Sequence, residues 1–363
     1  MALQVDLAGS CQSMLKYMGD LAKGNYPFLL GRKTGVLDFL LNPINGSIKM
    51  DLNNAQMGKK YIETRVHYKI RTKPSEILTD SSVGDVCDTA AEPAELSTTV
   101  EITKRVGTTP KKFTNDKMIN ICQDTKSFVN EYVASDMKAM REKVAEVLLN
   151  RLEGGAGRNY RHNGEEKTAV QTTDVQVLGT SSDTGVQVPL FANFTDIKLD
   201  YYNNQLTGYP HLIGNGNLAK FWELANYSAA NSTAVSYDEA IRGGAAFYQD
   251  WAANSILGTN EFLVVAPNVA HVLWFNRNAN ININNDLVQH IVIPDPVYPQ
   301  LKWDFDFKWD ECDKAWIYTL SADYDLFTLP SDTSGSDDLA SPVVANDLVG
   351  MTGIFRYKAT ATA

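Results

Sequence analysis

The clearest pattern along the chain is an alternation of apolar and polar residues over positions 62–72. Ile62 and Val66 fall on one face of this run, and Arg65 falls on the other. A period of two over this length is typical of a half-buried β-strand. A second alternating run covers 97–106, and the residues between the two runs are rich in Ser, Asp, Ala, Gly and Pro. Together they predict a long two-stranded ribbon with an extended tip.

A different period follows the ribbon. Apolar residues recur at steps of three and four from Met118 to Leu152. The pattern predicts one long helix that begins after Thr114 or Asn115 and ends at Gly154. At 1.5 Å per residue, its length would be roughly 55–60 Å, enough to form a spine across the molecule. A strongly bent or broken helix is the alternative.

The rest of the chain mixes shorter elements, so the predicted fold class is α+β. Residues 1–46 have apolar clusters interrupted by glycines and predict an extended arm with one short helix at 10–22. Further on, the patterns predict strands at 172–178, 186–191 and 262–266, a hairpin over 302–320 and a final strand at 354–358. They also predict helices at 217–227 and 237–256, and a helix whose first apolar residues are Val269, Val272 and Leu273.

The hairpin brings carboxylates together. Asp304 and Asp306 alternate with large aromatic residues, which predicts that both acids lie on the outer face of a strand. A calcium loop starting at Asp304 is excluded because Trp309 stands where the loop needs glycine and Ala315 where it needs the closing glutamate. No metal site is predicted. Glu311 could form an acid–base pair with Asp313. On this alternative hypothesis, the chain is a hydrolase.

Other chemistry-bearing motifs are missing or weak. Gly214-x-Gly216 resembles half of a dinucleotide fingerprint, but the strand before it is too short and no acidic partner follows. The sequence has no Walker loop, GxSxG elbow or HExxH motif. His271 lies in the predicted apolar helix and is interpreted as a core or interface histidine. Nothing here makes a positive case for an enzyme or a cofactor.

Composition narrows the classes further. The chain has 363 residues, 44% of them hydrophobic, which excludes a disordered protein and predicts two domains or one elaborated domain. Its 33 basic and 43 acidic residues give a net charge of −10, which argues against a dedicated nucleic-acid reader. No secretory signal and no apolar stretch of ~18 residues is seen. The widely spaced cysteines are therefore interpreted as reduced thiols of a cytoplasmic protein: Cys11, Cys87, Cys122 and Cys312.

The charge is unevenly distributed along the ribbon. Its stems, 59–73 and 104–117, are almost purely basic, whereas 74–103 contains seven acidic residues and no basic one. An acidic tip on a basic stem predicts a head-to-tail contact between copies. The alternative is a solvated hairpin whose charges contribute little. The contact residues predicted are Arg65, Lys69, Arg71, Lys73, Lys104 and Arg105 on the stems, and Glu76, Asp80, Asp85 and Asp88 on the tip.

This order of elements resembles a family. An arm, a long ribbon, a spine helix, a mixed segment and a closing hairpin are similar to the major capsid proteins of tailed bacteriophages. Local stretches carry the likeness too: Phe262-Leu263-Val264-Val265-Ala266-Pro267-Asn268, the run from Leu320 to Pro330, and Gly350-Met351-Thr352-Gly353-Ile354-Phe355-Arg356-Tyr357. The resemblance implies an N-terminal arm at 1–47, an extended loop at 48–113, a peripheral domain at 114–200, an axial domain at 201–290 and closing strands at 291–363.

The resemblance also implies a role. Family members are structural subunits that form hexamers and pentamers, and these build an icosahedral shell around double-stranded DNA. The expected partners are identical copies, a portal protein, a separate scaffold or decoration protein, and packaged DNA in unspecific contact, with no membrane. The ribbon starts near residue 50, which leaves no room for an internal scaffolding segment. The expected location is the virion, assembled in the host cytoplasm. Alternatives are the hydrolase and another virion component, such as a tail-tube or decoration protein.

Overall fold

The computed structural model describes residues 33–42, 45, 48–57, 62–68, 96–114, 129–156, 159–160, 166–167, 172–180, 187–189, 197, 199–201, 204, 206, 208–217, 246–258, 260–280, 288–313, 315–329 and 352–361. The helices are α1 (Gly35–Leu40), α2 (Ser135–Gly154) and α3 (Ala253–Ile256), with a π-helical turn at Val129–Ala134 and a 3-10 turn at Arg277–Asn280. The strands are β1 (Lys49–Met57), β2 (Ile62–Tyr68), β3 (Leu96–Ile102), β4 (Lys104–Gly107), β5 (Lys111–Thr114), β6 (Asn159–Tyr160), β7 (Glu166–Lys167), β8 (Thr172–Thr180), β9 (Gln187–Pro189), β10 (His211–Gly214), β11 (Ala246–Gln249), β12 (Glu261–Val265), β13 (Ala270–Phe275), β14 (Val288–Pro294), β15 (Lys302–Asp310), β16 (Ala315–Thr328) and β17 (Ile354–Ala361). The fold class is α+β, as predicted.

The ribbon forms from β2 and β3, which are antiparallel partners, and the alternation of β2 is confirmed. Ile62, Thr64 and Val66 are buried, whereas Arg65 is exposed. The structure adds a third strand that the sequence did not reveal, because β1 pairs with the other edge of β2. The register of β1 shifts between Asp51 and Gln56, and this irregularity obscures its alternation.

A second sheet is built on β16, the longest strand, and is called the β16 sheet below. Its order is β13-β16-β15-β14, with β4 and β5 also paired to β16. The predicted 302–320 hairpin is confirmed as β15 and β16, and β16 continues to Thr328. Aromatic rings stack between them, with 4.6 Å between the ring centroids of Phe307 and Trp316. This apolar face packs toward α2, so the hairpin closes the core rather than standing apart.

A third sheet is built on strand β12, which is buried from Phe262 to Val265, and is called the β12 sheet. Its order is β11-β10-β12-β17-β8-β9. The run 262–266 was predicted as a buried strand, and Phe262 and Leu263 are 1% and 0% exposed. The final strand at 354–358 and the two predicted strands at 172–178 and 186–191 are also confirmed, as β17, β8 and β9.

Helix α2 is the predicted spine. It ends at Gly154 as expected, and a buried stripe faces the core, formed by Met137, Met140, Val144, Leu148 and Leu152. The described helical residues begin at Val129. Residues 115–128, which the sequence predicts to be part of the same helix, lie outside the described part of the chain. The predicted length of the helix therefore stays a prediction.

Two predicted helices are wrong. The residues after Pro267 form strand β13, whose partner is β16, instead of a helix. Asn268, in the turn between β12 and β13, has a left-handed backbone with a φ of 61°. The run is buried, and periodicity alone cannot separate a buried strand from a buried helix. In the predicted helix 237–256, residues 237–245 lie outside the described residues, and Ala246–Gln249 is strand β11, parallel to β10. Of the described residues in this range, only α3 is helical.

Helix α1 ties the two large sheets together. The Tyr298 hydroxyl accepts from the Thr34 amide at 2.8 Å and donates to the Thr34 carbonyl at 3.0 Å. Two residues on, the Val36 amide donates to the Asp250 carboxylate at 2.8 Å. Gly35 fits between because any Cβ there would lie 2.5 Å from the Gln249 carbonyl oxygen. The predicted helices at 10–22 and 217–227 lie outside the described residues, apart from Asn217 itself.

The sheets draw strands from more than one of the predicted domain ranges. Strand β13, from the 201–290 range, and β14, which crosses the predicted boundary at residue 290, share the β16 sheet. Strands β8 and β9, from the 114–200 range, share the β12 sheet. The domain boundaries stay predictions. No helix in the described part of the chain has the length and apolarity needed to cross a bilayer.

Candidate assembly interface

The candidate site is the charged ribbon, and its geometry starts with β2 and β3. Seven residue pairs run in unbroken antiparallel register, from Ile62 opposite Ile102 to Tyr68 opposite Leu96. The described strands stop after Tyr68 and resume at Leu96, so they form the stem of the predicted ribbon. A two-stranded ribbon is marginal in water, and here β1 and the apolar face of β2 supply the missing support.

The root of the ribbon is fixed to the β16 sheet by Thr103, the residue between β3 and β4. The amide and the hydroxyl of Thr103 both donate to Asp325, at 3.2 and 3.0 Å. Strand β4 then pairs with β16, placing Arg105 opposite Asp323. The predicted single strand over 97–106 is therefore two strands with a break, and the break anchors the ribbon to the core.

The basic residues of the second stem are partly neutralised within the chain. Arg105 donates to the Ser321 hydroxyl at 3.1 Å and lies 4.0 Å from the Asp323 carboxylate. Lys111 pairs with Asp136 at 2.6 Å, and Lys112 pairs with an acid on the neighbouring hairpin. Lys104 and Arg65 are exposed. These two cations are the best placed of the described stem residues to meet a second molecule.

Two acidic residues lie opposite each other on the stem of the ribbon. Glu63 on β2 and Glu101 on β3 are directly opposite each other, and both side chains lie on the polar face. Like charges in this position destabilise a ladder by a few tenths to about 1 kcal/mol. Glu101 belongs to the acid-only stretch 74–103, so part of that stretch lies on the stem. The pairing could have been found from the sequence by aligning the two alternating runs.

The remaining predicted contact residues cannot be located. Lys69, Arg71 and Lys73 of the first stem and the tip acids Glu76, Asp80, Asp85 and Asp88 lie outside the described residues. Their role in an interface stays a prediction.

The two carboxylates of the hydrolase hypothesis do not have the placement that an acid–base pair requires. Glu311 and Asp313 lie exposed on the turn between β15 and β16, and Asp313 forms a surface ion pair with Lys112 at 2.7 Å. Nothing in this turn sets the two carboxylates apart as acid and base. The enzyme reading has no support in the described geometry.

The prediction that Asp304 lies on the outer face of strand β15 is wrong. Asp304 was expected on the outer face, but it is 2% exposed and accepts hydrogen bonds from the amides of Arg277 and Asn278, at 2.8 and 3.2 Å. Burial raises the pKa of Asp304 to about 6, although the two amides oppose the rise. Asp306 is half-buried and lies 2.6 Å from Nδ1 of His290. The alternating pattern missed this because the 3-10 turn covers what would otherwise be a solvated face.

Among the histidines that the structure describes, the remaining ones do not form a candidate site. His271 lies on β13 instead of a helix, and burial lowers its pKa. Among the described residues, no group of three or more histidine, cysteine or acidic side chains could hold a metal ion. Cys312 is exposed and is not part of a disulfide, and the other cysteines lie outside the described residues.

Comparisons with known proteins give a structural likeness only. No protein-family model matches the chain, and no curated protein matches it in sequence. The chain is similar to a structure from Mycobacterium phage Che8, at 10% identity and a TM-score of 0.42, over 92% of this chain and 96% of that one. It is also similar to the cyanophage A-1(L) capsid asymmetric unit, at 10% identity and a TM-score of 0.49, over 83% and 90%. A third likeness is to the mature capsid of bacteriophage PhiM1, at 9% identity and a TM-score of 0.39, over 82% of each chain.

Proposed function

We propose that this chain is a structural virion protein, the major capsid protein of a tailed bacteriophage. Copies would assemble into hexamers and pentamers that form an icosahedral shell around double-stranded DNA. One observation carries the proposal: a paired, charge-segregated ribbon that is rooted by Thr103 in the β16 sheet. An enzyme has little use for such a ribbon, whereas a subunit that overlaps its neighbours needs one.

The order of the described elements supports this proposal. Helix α1, the ribbon, α2, the strands around β12 and the β15–β16 hairpin follow each other as in the family that the sequence resembles. Because capsid subunits of this kind act by binding their own copies, the role is structural and non-enzymatic.

The mechanism we infer is overlap between neighbours. The acid-only stretch 74–103 of one copy would lie on the exposed Arg65 and Lys104 of the next. Each surface ion pair contributes little by itself, about 0–1 kcal/mol. Many linked contacts in a closed shell multiply such weak pairs into a stable assembly.

Charge reversal on the stem tests this mechanism. Arg65→Glu combined with Lys104→Glu should block assembly and leave a folded monomer, because both side chains are exposed in the isolated chain. Adding Lys69→Glu, Arg71→Glu and Arg105→Glu should deepen the effect, although Arg105 also has partners within its own chain. Assembly would be measured by sedimentation velocity and electron microscopy, and folding by circular dichroism.

The matched control changes the same charge elsewhere. Lys138→Glu combined with Lys143→Glu alters two exposed residues on the outer face of α2 and should leave assembly unchanged. Normal shells from the stem variant would overturn the overlap mechanism. A wild-type chain that forms no rings, sheets or shells at any concentration would overturn the capsid proposal itself.

The finer partners are proposals as well. Contact with packaged DNA would be unspecific and weak, in keeping with the net charge of −10. A portal protein and a separate scaffold or decoration protein would complete the particle. The location would be the virion, after assembly in the host cytoplasm.

A further inference from the structure

Two large aromatic side chains project into solvent from the β12 sheet. Tyr209 is 63% exposed and directly precedes Pro210 and β10. Trp251 is 79% exposed and follows β11 by two residues. Because β10 and β11 are parallel neighbours, Tyr209 lies at one end of this strand pair and Trp251 at the opposite end.

The backbone that carries Trp251 is held from both sides. The neighbouring Asp250 is 1% exposed, and its carboxylate accepts from the amides of Val36 and Ala252 at 2.8 and 2.9 Å. The amide of Asp250 donates to the Gly214 carbonyl at 2.9 Å. The indole is therefore presented from a fixed position, so binding through it costs little conformational entropy in the backbone.

Tyr209 is also placed by its neighbours. Gly208 has a φ of +85°, and a Cβ there would lie 3.0 Å from the Pro267 ring. This glycine lets the chain turn closely over the end of β12 before Tyr209 points outward. Both aromatic residues thus flank the β10–β11 strand pair, and the backbone beside each is fixed by hydrogen bonds or close packing.

Trp251 is more exposed than the other tryptophans that the structure describes. Trp303 is fully buried, and its indole nitrogen donates to Asp295 at 3.1 Å. Trp274 is partly exposed, but its indole nitrogen donates to the Lys302 carbonyl at 2.7 Å. Tryptophan and tyrosine dominate the centres of protein interfaces, where a preformed aromatic anchor enters a partner.

We propose that Trp251 and Tyr209 anchor a second, apolar contact between copies of this chain, distinct from the charged ribbon contact. Two different anchors at opposite ends of one strand pair fit a head-to-tail arrangement, in which the Trp251 end of one copy meets the Tyr209 end of the next. A two-fold contact would need only one self-complementary patch. This inference rests on the proposed self-assembly and adds a specific site to it.

Tryptophan fluorescence tests the burial of Trp251. The difference spectrum between the wild-type chain and Trp251→Phe isolates this indole from the other five. On assembly, its emission should shift to shorter wavelength, and its quenching by acrylamide should fall at least threefold. Unchanged emission and quenching in particles that do assemble would overturn the inference.

Substitution tests its contribution. Trp251→Ala should raise the protein concentration needed for assembly at least tenfold, and Tyr209→Ala by a smaller factor, with the thermal midpoint of the unassembled chain unchanged. Leu199→Ala is the control, because this side chain is also exposed, at 48%, but lies at neither end of the β10–β11 pair. Equal assembly by Trp251→Ala and the control overturns the proposal. Failure of the wild-type chain to assemble would instead overturn the proposed function.

Cross-linking tests the head-to-tail geometry. In a background with the four native cysteines changed to serine, and at a protein concentration above the raised assembly threshold of the variants, the doubly substituted chain Tyr209→Cys, Trp251→Cys should give a ladder of oligomers with a short bismaleimide. Either single substitution should give none beyond the background. A single substitution that yields abundant dimers would show a two-fold contact and contradict the proposed arrangement.

Discussion

The buried carboxylates of the β16 sheet and the buried imidazole of the β12 sheet differ in their hydrogen bonding. In the β16 sheet and the loop beside it, Asp295 and Asp304 are almost fully buried, and each accepts several hydrogen bonds. In the β12 sheet, His211 is 5% exposed, and neither ring nitrogen has a hydrogen-bond partner. Its neighbours are the rings of Phe39 and Tyr248, 5.1 and 5.6 Å away between centroids.

The difference indicates what each region depends on. The buried carboxylates hold loops and turns in one geometry, and the ribbon is rooted in the same sheet through Thr103. The β12 sheet also holds a hydrogen-bonded buried carboxylate, Asp250, but His211 has no hydrogen-bond partner and is tolerated only while it is neutral. The carboxylates should therefore be sensitive to loss of their partners, and His211 to acid.

The largest effect should follow from breaking the Arg141–Asp295 pair. Arg141 is 1% exposed and donates to both carboxylate oxygens of Asp295, at 2.9 and 3.0 Å. The amides of Val297 and Tyr298 also donate to this carboxylate. Asp295→Ala would strand the buried guanidinium and should lower the free energy of unfolding by about 3–5 kcal/mol, measured by urea denaturation.

Asp295→Asn separates the two contributions of that carboxylate. The amide oxygen can still accept from the Val297 and Tyr298 backbone, so this variant should lose less stability than Asp295→Ala. If both variants unfold within about 1 kcal/mol of the wild type, the buried pair does not organise the region as argued.

Acid should weaken the β12 sheet through His211. Burial lowers the pKa of His211 to about 4, from 6.5 in the unfolded chain. The unfolded state then binds the proton first, so the stability contribution is complete above pH 6.5 and is lost as the pH falls toward 4. The loss should be roughly 3 kcal/mol, at 1.36 kcal/mol per pKa unit.

The test compares unfolding free energies of the wild type and His211→Phe between pH 7.5 and 4. The difference between them should shift in favour of the variant as the pH falls, because phenylalanine has no proton to bind. His67→Gln is the control, since His67 lies on the polar face of β2. A difference that stays constant with pH would contradict the argument.

The β16 sheet should respond to acid in the opposite direction through Asp304. Burial raises its pKa to about 6, and the nearby Asp306 adds to the rise, while the amides of Arg277 and Asn278 lower it. The folded state then binds the proton first, so this contribution is complete below pH 3.8 and is lost as the pH rises through 6. It should amount to roughly 2–3 kcal/mol. In Asp304→Asn this pH dependence should vanish; an unchanged profile would contradict it.

How far the sequence predicted these regions depends on the physics of each. Alternation predicted β2 and β15 correctly because each has a clear apolar face. It failed for β13, since a short buried run has no distinctive period. The exposed stem cation Arg65 was found from the sequence, but the exposure of Trp251 was not. The backbone next to Trp251 is held by a tertiary hydrogen bond from the Val36 amide to Asp250, which the local sequence pattern does not reveal.

The smallest effect should come from a surface pair on the same β16 sheet. Lys112 and Asp313 approach to 2.7 Å, as close as the buried pair, but their side chains are 42% and 52% exposed. Water screens such a pair, so Asp313→Asn should change the free energy of unfolding by less than about 1 kcal/mol and leave assembly intact. Comparison with Asp295→Asn keeps the chemical change the same, while the burial of the carboxylate and the number of its hydrogen bonds differ. If the two substitutions cost the same, burial of the partner is not what makes Asp295 important, and the contrast between the regions fails.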